Sequence, residues 1–287
     1  MQTVNVKLIT EKHRIMEIKA ADVAKLRKMT GAGMMDCKNA LAEANGDFER
    51  AQEIIREKGK LIASKRADRT ATEGVVVARV EGAKAYMLCL ACETDFVAKN
   101  EGFSATANEI LEIAIKNDCA DIETLKAVKV GDQTVEELIV VKSGQTGEKV
   151  EMPFYARIEA AFCGCYVHMN NKLGSLLGFN KEVSAQVAKE VAMQATAMAP
   201  VSISKDDCPA DIIEKEREIG REQARLEGKP EQMLDKIAEG KVNKFLQENT
   251  LMNQKFVMND KMTVEAYLKS VDPEVKVIAY KRFSLND

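Results

Sequence analysis

The residues with the clearest capacity for chemistry are two closely spaced cysteine pairs. Two residues separate Cys89 from Cys92 and one separates Cys163 from Cys165, so four thiolates are available to a zinc ion. Both pairs lie in apolar runs typical of strands, in which residues i and i+3 point to opposite faces. Cys89 and Cys92 therefore diverge, and we interpret the cysteines as small buried apolar groups with no bound metal or cofactor.

A carboxylate and an aromatic ring, Asp95 and Phe96, follow an apolar run from Tyr86 to Cys92 that predicts a buried strand. This pair at a strand end is well placed to contact another molecule. A second interpretation stays open, in which Asp95 caps a helical turn and Phe96 packs into the core, the commoner environment of phenylalanine.

Motifs of known enzyme classes are absent from the sequence. It contains no P-loop, no Gly-x-Ser-x-Gly elbow and no His-rich metal motif. Nothing in the spacing of Asp95 and His168 indicates an acid–base pair, and His168 lies in a predicted turn, where a surface position is the common case. We expect no catalytic residues.

Composition indicates a soluble globular protein, since 30% of the 287 residues are charged and the net charge is −3. Residues 1–72 carry 15 basic and 10 acidic side chains, a local net charge of +5, which favours a solvated basic face. No apolar run approaches the ~18 residues that span a membrane. Residues 1–17 lack the apolar core of a signal peptide, so we interpret them as a disordered extension or a mis-called start and expect a cytoplasmic protein.

Hydrophobic periodicity predicts an α+β fold that begins with a domain of three short helices over residues 18–58. A polar linker is expected over residues 59–73. Met34 and Met35 are adjacent at a helix start and cannot both face inward, so Met34 is expected in the core and Met35 partly exposed.

The middle of the chain predicts a duplicated core in which a β-hairpin and a helix occur twice, with antiparallel sheets. The first copy lies in an N-terminal half, residues 74–152, where Ser143 to Glu148 are expected to form a loop. The second lies in a C-terminal half, residues 153–287, with one long strand from Phe154 to Val167 and a turn at 168–172.

Apolar residues Ile212, Ile219 and Leu226 recur every seven positions, with charged residues between them. Such a thin seam predicts a protruding antiparallel helical hairpin at about residues 209–247. Phe256–Met258 and Val275–Phe283 are expected to return to the sheet.

Two segments carry a resemblance to a known family. Thr94-Asp95-Phe96-Val97-Ala98 resembles the Thr-Asp-Phe-Val-Ala signature of the bacterial elongation factor Ts family. The segment from Leu26 to Lys38 resembles the N-terminal signature of the same family. The two occur in the right order, about 60 residues apart, and the similarity covers roughly residues 18–287.

This resemblance implies a guanine nucleotide exchange factor for the GTPase elongation factor Tu, which it would bind in GDP-bound and nucleotide-free forms. The resemblance also implies that the protein binds neither a membrane nor, directly, a nucleic acid. The N-terminal helices would form a ubiquitin-associated-like domain, and the hairpin a coiled coil that grips the partner. Asp95 and Phe96 would enter the GTPase near its Mg²⁺ and phosphate site, and the implied partner-binding residues are Arg27, Met34, Met35, Thr94, Asp95, Phe96, Val97 and His168. The alternative is a ribosome- or RNA-associated protein without exchange activity.

Overall fold

A computed structural model describes residues 18–285, and the predicted extension over residues 1–17 lies outside the described part. The chain forms two compact units, one that runs to Arg69 and adds Glu137–Lys149, and one that comprises Thr70–Glu136 with the chain from Val150 onward. The elements are, in chain order, α1 (Ala20–Thr30), α2 (Met34–Glu43), α3 (Phe48–Lys65), β1 (Glu73–Glu81), β2 (Lys84–Cys92), α4 (Asp95–Ala98), α5 (Glu101–Lys116), α6 (Ile122–Ala127), β3 (Lys129–Val130), β4 (Gln133–Thr134), α7 (Val135–Thr146), β5 (Glu151–Glu159), β6 (Phe162–Val167), β7 (Leu173–Phe179), α8 (Ala185–Met198), α9 (Ala210–Leu226), α10 (Glu231–Asn249), β8 (Lys255–Phe256), β9 (Asn259–Thr263), α11 (Val264–Val271) and β10 (Val277–Ser284).

The first unit packs α1, α2 and α3 around fully buried Leu26, Cys37 and Leu41. Helix α3 begins at the cap Asp47, whose carboxylate accepts hydrogen bonds from two backbone amides of the first turn. It then continues through residues 59–65, which the sequence assigned to a linker. The designation as a ubiquitin-associated-like domain stays a prediction.

Helix α7 differs from the sequence-based expectation, because the predicted loop from Ser143 to Glu148 is helical as far as Thr146. From Glu137 onward this segment belongs to the first unit. It approaches α3 closely: a Cβ added to Gly144 would lie 2.5 Å from the Cα atom of Gly59. The helix therefore owes its length to packing against a neighbour rather than to its own composition.

The second unit has two three-stranded antiparallel sheets, ordered β1-β2-β5 and β10-β7-β6. They pack face to face, with Met87 and Cys89 of the first sheet in one apolar core with Leu176 of the second. Strand β2 is buried from Ala85 through Cys92 on both faces, as a continuous apolar run predicts. The predicted α+β class with antiparallel sheets is confirmed.

Helices α5 and α8 cover the outer faces of the two sheets. Helix α5 contributes a buried stripe that includes Phe103, Ile110 and Leu111. Helix α8 approaches β6 so closely that a Cβ added to Gly164 would lie 2.9 Å from the Cβ atom of Ala188. The second unit is thus layered helix, sheet, sheet, helix.

Two expectations for the second unit need correction, and a third holds. The expected strand from Phe154 to Val167 is two strands, because the chain breaks at Ala160 and Ala161; β5 pairs with β2 and completes the first sheet, and β6 begins the second. Strand β10 joins β7 as expected. Strand β8 instead pairs with β9 in a separate two-stranded sheet, so the expected return of 256–258 to the main sheet is wrong.

Helices α9 and α10 form an antiparallel pair joined by residues 227–230. A Cβ added to Gly220 would lie 3.1 Å from the Cα atom of Ala238, so the backbones nearly touch. Three arginines spaced four apart on α9 form ion pairs across to α10, namely Arg217–Glu239, Arg221–Asp235 and Arg225–Glu231. The helical pair matches the predicted hairpin, and its protrusion as a coiled coil stays a prediction.

Two glycine-to-alanine substitutions should shift stability in opposite directions. Gly164→Ala should lower the free energy of unfolding by about 1–3 kcal/mol, because Ala188 leaves no room for a methyl group. Gly240→Ala in α10 meets no atom within 4 Å and should raise it by about 0.5–1 kcal/mol through helix propensity. Urea unfolding midpoints of the two variants and the unchanged protein test this, and a neutral Gly164→Ala would contradict the close approach of α8 to β6.

Candidate protein-interaction site

The turn after β2 exposes an aromatic ring. Helix α4 is a single turn packed on β1 and β2, and Lys99 N donates to Asp95 O at 2.9 Å. Within this turn the Phe96 side chain is 85% exposed, which excludes the interpretation that it packs into the core. Thr94 and Val97 beside it are half-buried. Full burial of a phenylalanine is worth about 1.5–3 kcal/mol, so this ring is a ready source of binding energy.

Asp95 is held by an ion pair within the same turn. Lys99 Nζ lies 2.6 Å from Asp95 Oδ2, an i,i+4 spacing that brings both side chains onto one helical face. The hydrogen bond from Lys99 is the main influence that lowers the pKa of the Asp95 carboxyl, and the same bond raises the pKa of Lys99. Asp95 is therefore paired with Lys99, as a carboxylate at neutral pH.

His168 lies in the turn between β6 and β7, which the sequence predicted. The backbone closes through a hydrogen bond from His168 N to Leu173 O at 2.9 Å, and Asn171 takes a left-handed conformation with φ of 55°. His168 and Met169 are exposed, and Met169 is 89% exposed. Among described residues, Phe96 and Met169 are the two most exposed large apolar side chains.

Strand β1 brings the Phe96 turn and the His168 turn to the same edge of the second unit. Its first residue, Glu73, pairs across the sheet with Cys92, just before the Phe96 turn. The Glu73 carboxylate also lies 2.7 Å from Lys172 Nζ at the end of the His168 turn. Three residues on, Val76 N donates to Asn171 O at 2.7 Å. Both predicted contact segments therefore depend on the start of β1.

Sequence reasoning missed three contributors to this edge. Glu73 and Lys172 are 99 positions apart, so nothing in the sequence pairs them. Met169 carried a usable signal, because a methionine in a polar turn has no core to fill.

Arg27, Met34 and Met35 belong to the first unit, and all three are exposed. Met34 is 52% exposed, so its expected place in the core is wrong. It is the first residue of α2, and helical side chains lean toward the N-terminus, which carries Met34 out past the helix start. Buried Ala32 occupies the core position ahead of the helix instead.

The site presents exposed apolar side chains, Phe96 and Met169, that are available to contact another molecule. Within residues 18–285, no group of three or more His, Cys, Asp or Glu side chains could hold a metal ion. Cys89 lies in the core between the sheets, and burial raises the pKa of its thiol to about 12. No described helix combines the length and apolar character needed to cross a membrane.

Comparisons with known proteins converge on one family. The family model described as "Elongation factor TS" matches residues 93–287. Curated proteins called "Elongation factor Ts" from Azobacteroides pseudotrichonymphae and Porphyromonas gingivalis are each 45% identical over 272 residues, covering 94% of this chain and 99% of the relative. The protein of that name from Christiangramia forsetii is 46% identical over 273 residues, with the same coverage.

The Asp95–Lys99 pair predicts a specific titration. The Asp95 carboxyl should titrate below the ordinary aspartate value of about 3.9, so the pair is intact above that pH and is lost as pH falls through the lowered pKa. Lys99→Met should raise the Asp95 pKa toward the ordinary value. Carbon-13 NMR of the side-chain carboxyls measures both.

Asp121 provides the internal control for this titration. Its pKa is lowered chiefly by a hydrogen bond from the backbone N–H of Thr124, 2.8 Å away, with no lysine involved. Lys99→Met should leave Asp121 unchanged. An Asp95 midpoint that does not move in this variant would show that the ion pair does not form in solution.

Proposed function

The chain belongs to the elongation factor Ts family, and from that premise we propose that it is a cytoplasmic guanine nucleotide exchange factor for elongation factor Tu in translation elongation. In this function it performs no covalent chemistry of its own. It binds the GTPase and promotes the release of GDP by inserting Asp95 and Phe96 near the Mg²⁺ and phosphate site.

The exposure of Phe96 is the observation that carries this proposal. An apolar ring 85% exposed on a turn packed against two strands is ready to enter a partner without unfolding of its own support. Such preorganisation lowers the entropy cost of binding. The neighbouring Asp95 brings a carboxylate, which on leaving Lys99 competes for the positive charges that hold the nucleotide phosphates.

Thermodynamic coupling limits how much one side chain can contribute. A factor that weakens GDP binding is itself bound more weakly by the GDP complex, by the same free energy. A 10⁴-fold effect needs about 5.5 kcal/mol of differential binding, which exceeds the ~3 kcal/mol that burial of one phenylalanine provides.

Several contacts must therefore act together in the proposed complex. His168 lies at the same edge of the second unit as Phe96, through Glu73 and Lys172. Arg27, Met34 and Met35 provide an exposed surface on the first unit. The helical hairpin, whose Leu226 is 79% exposed beside its turn, provides another.

Phe96→Ala should reduce the acceleration of GDP release from elongation factor Tu at least ~10-fold, because removal of the ring loses over 1.4 kcal/mol of burial in the complex. The free energy of unfolding should change by less than about 0.5 kcal/mol, since the ring is exposed in the free protein. Stopped-flow measurement with a fluorescent GDP analogue tests the first expectation, and urea unfolding the second.

Met169→Ala is the matched control, because Met169 is at least as exposed as Phe96 and lies at the same edge but outside the predicted contacts. It should change exchange less than ~3-fold. Equal losses in the two variants would contradict a special role for Phe96. Failure of the unchanged protein to accelerate GDP release would refute exchange activity, and RNA binding that weakens steeply with salt would then support the alternative function.

A further inference from the structure

Helix α7 completes the first unit from a distant part of the chain. Its Gly144 meets Gly59 of α3, with 2.5 Å between an added Cβ and the Gly59 Cα atom. At the other end of the contact, Glu137 lies 3.8 Å from Lys60 Nζ. Ser143, between these points, is almost fully buried. The C-terminal part of α7, which includes Ser143 and Gly144, is therefore packed closely on α3, and Gln145 follows directly after it.

Gln145 of α7 reaches the turn between α1 and α2. Its Nε2 atom donates a hydrogen bond to the carbonyl oxygen of Thr30, the last residue of α1. A helix leaves its last carbonyls without partners inside the helix, so this amide acts as a cap supplied by another helix. The next residue, Gly31, is left-handed with φ of 68°, and a Cβ on it would lie 2.8 Å from Gln145 Nε2.

This bonded turn leads directly to two exposed side chains. Ala32 and Gly33 follow Gly31, and Met34 and Met35 are the first residues of α2, at 52% and 65% exposure. Methionine side chains are flexible and adapt to a partner, so the turn beneath them decides where they can reach. The backbone between Thr30 and Met34 contains two glycines, which are flexible. Ala32 between them is buried and donates its N–H to Thr30 Oγ1, so the bond from Gln145 adds a second attachment to this turn.

We propose that Gln145 is a positioning residue for partner binding, which fastens the turn between α1 and α2 and thereby fixes the direction of Met34 and Met35. This proposal rests on the proposed exchange function, in which those methionines contact elongation factor Tu. Gln145 acts through Thr30 and touches no partner itself. Its contribution belongs to docking, whereas Phe96 acts on the nucleotide site.

The separation of docking from nucleotide release predicts a distinctive kinetic effect. Loss of a contact that is equally strong before and during GDP release raises the factor concentration needed for half-maximal rate and leaves the maximal rate unchanged. Gln145→Met keeps the length of the side chain and removes the donor. It should raise the half-saturating concentration ~3- to 10-fold, the effect of one hydrogen bond, with the maximal rate within twofold.

The experiment measures release of a fluorescent GDP analogue from elongation factor Tu over a range of factor concentrations. Gln186→Met is the matched control, since Gln186 lies on the exposed face of α8 and its side chain bonds, within the described part of the chain, only to the nearby Glu190. It should leave both parameters unchanged. A fall in maximal rate at unchanged half-saturation in Gln145→Met would overturn the assignment to docking.

A double-mutant cycle separates positioning from general stability. In a protein that already carries Met34→Ala and Met35→Ala, Gln145→Met should add less than a twofold further change, because the side chains it positions are gone. If Gln145→Met instead raised the half-saturating concentration by the same factor with and without the two methionines, Gln145 would not act through them. That outcome would overturn the proposal.

A measurement without the partner distinguishes this proposal from the exchange function itself. Amide hydrogen exchange of residues 31–37, followed by mass spectrometry, should be faster in Gln145→Met than in the unchanged protein or in Gln186→Met. An unchanged rate of amide hydrogen exchange in residues 31–37 would overturn the role of Gln145, whatever the result with the GTPase. If amide hydrogen exchange is faster in Gln145→Met but the unchanged protein does not accelerate GDP release, only the proposed nucleotide exchange function is refuted.

Discussion

Strand β2 cannot face water on either side, and the second unit is arranged around that constraint. From Ala85 to Cys92 every side chain is buried. The strand therefore needs a hydrogen-bonding neighbour on each edge, a helix over one face and a second sheet over the other. The chain can become polar only after Cys92, at the border of this assembly. The turn that carries Asp95 and Phe96 lies at that border because it is the first place where polar residues are tolerated.

The same border explains how an exposed phenylalanine is kept in place. A single helical turn is unstable alone, so α4 depends on its packing against β1 and β2 and on the Asp95–Lys99 pair. Glu73 then ties the start of β1 to the opposite turn through Lys172, and both of these side chains are about a quarter exposed. Partial burial makes such a pair firmer than one in open solvent. Support of this kind allows the ring to stay exposed without local disorder.

Local signals in the sequence predicted much of this, and the failures share a physical origin. The apolar run of β2 and the turn at His168 are visible because each depends on neighbouring residues. Helix α7 was missed because Ser-Gly-Gln-Thr composition favours a loop, whereas contact with Gly59 favours a helix. The ion pair of Glu73 and Lys172 joins residues 99 positions apart. Met34 was misplaced because periodicity gives the face of a helix but not where the core ends.

Two features fix the register of the antiparallel helices α9 and α10: the three arginine–carboxylate pairs and the close approach of Gly220 to Ala238. If α10 shifted by one helical turn so that Leu234 took the place of Ala238, only two of the three arginines would still have a carboxylate opposite them. The shift would also bring the larger Leu234 side chain against Gly220, where the backbones nearly touch. An unmatched insertion that shifts one arm by a turn would therefore lose one ion pair and disturb the close contact at Gly220. Matched insertions or deletions in both arms, in whole helical turns of about 5.4 Å, change the length of the helical pair and keep both features. Its length is thus an adjustable dimension, altered in steps, while the body of the protein stays the same.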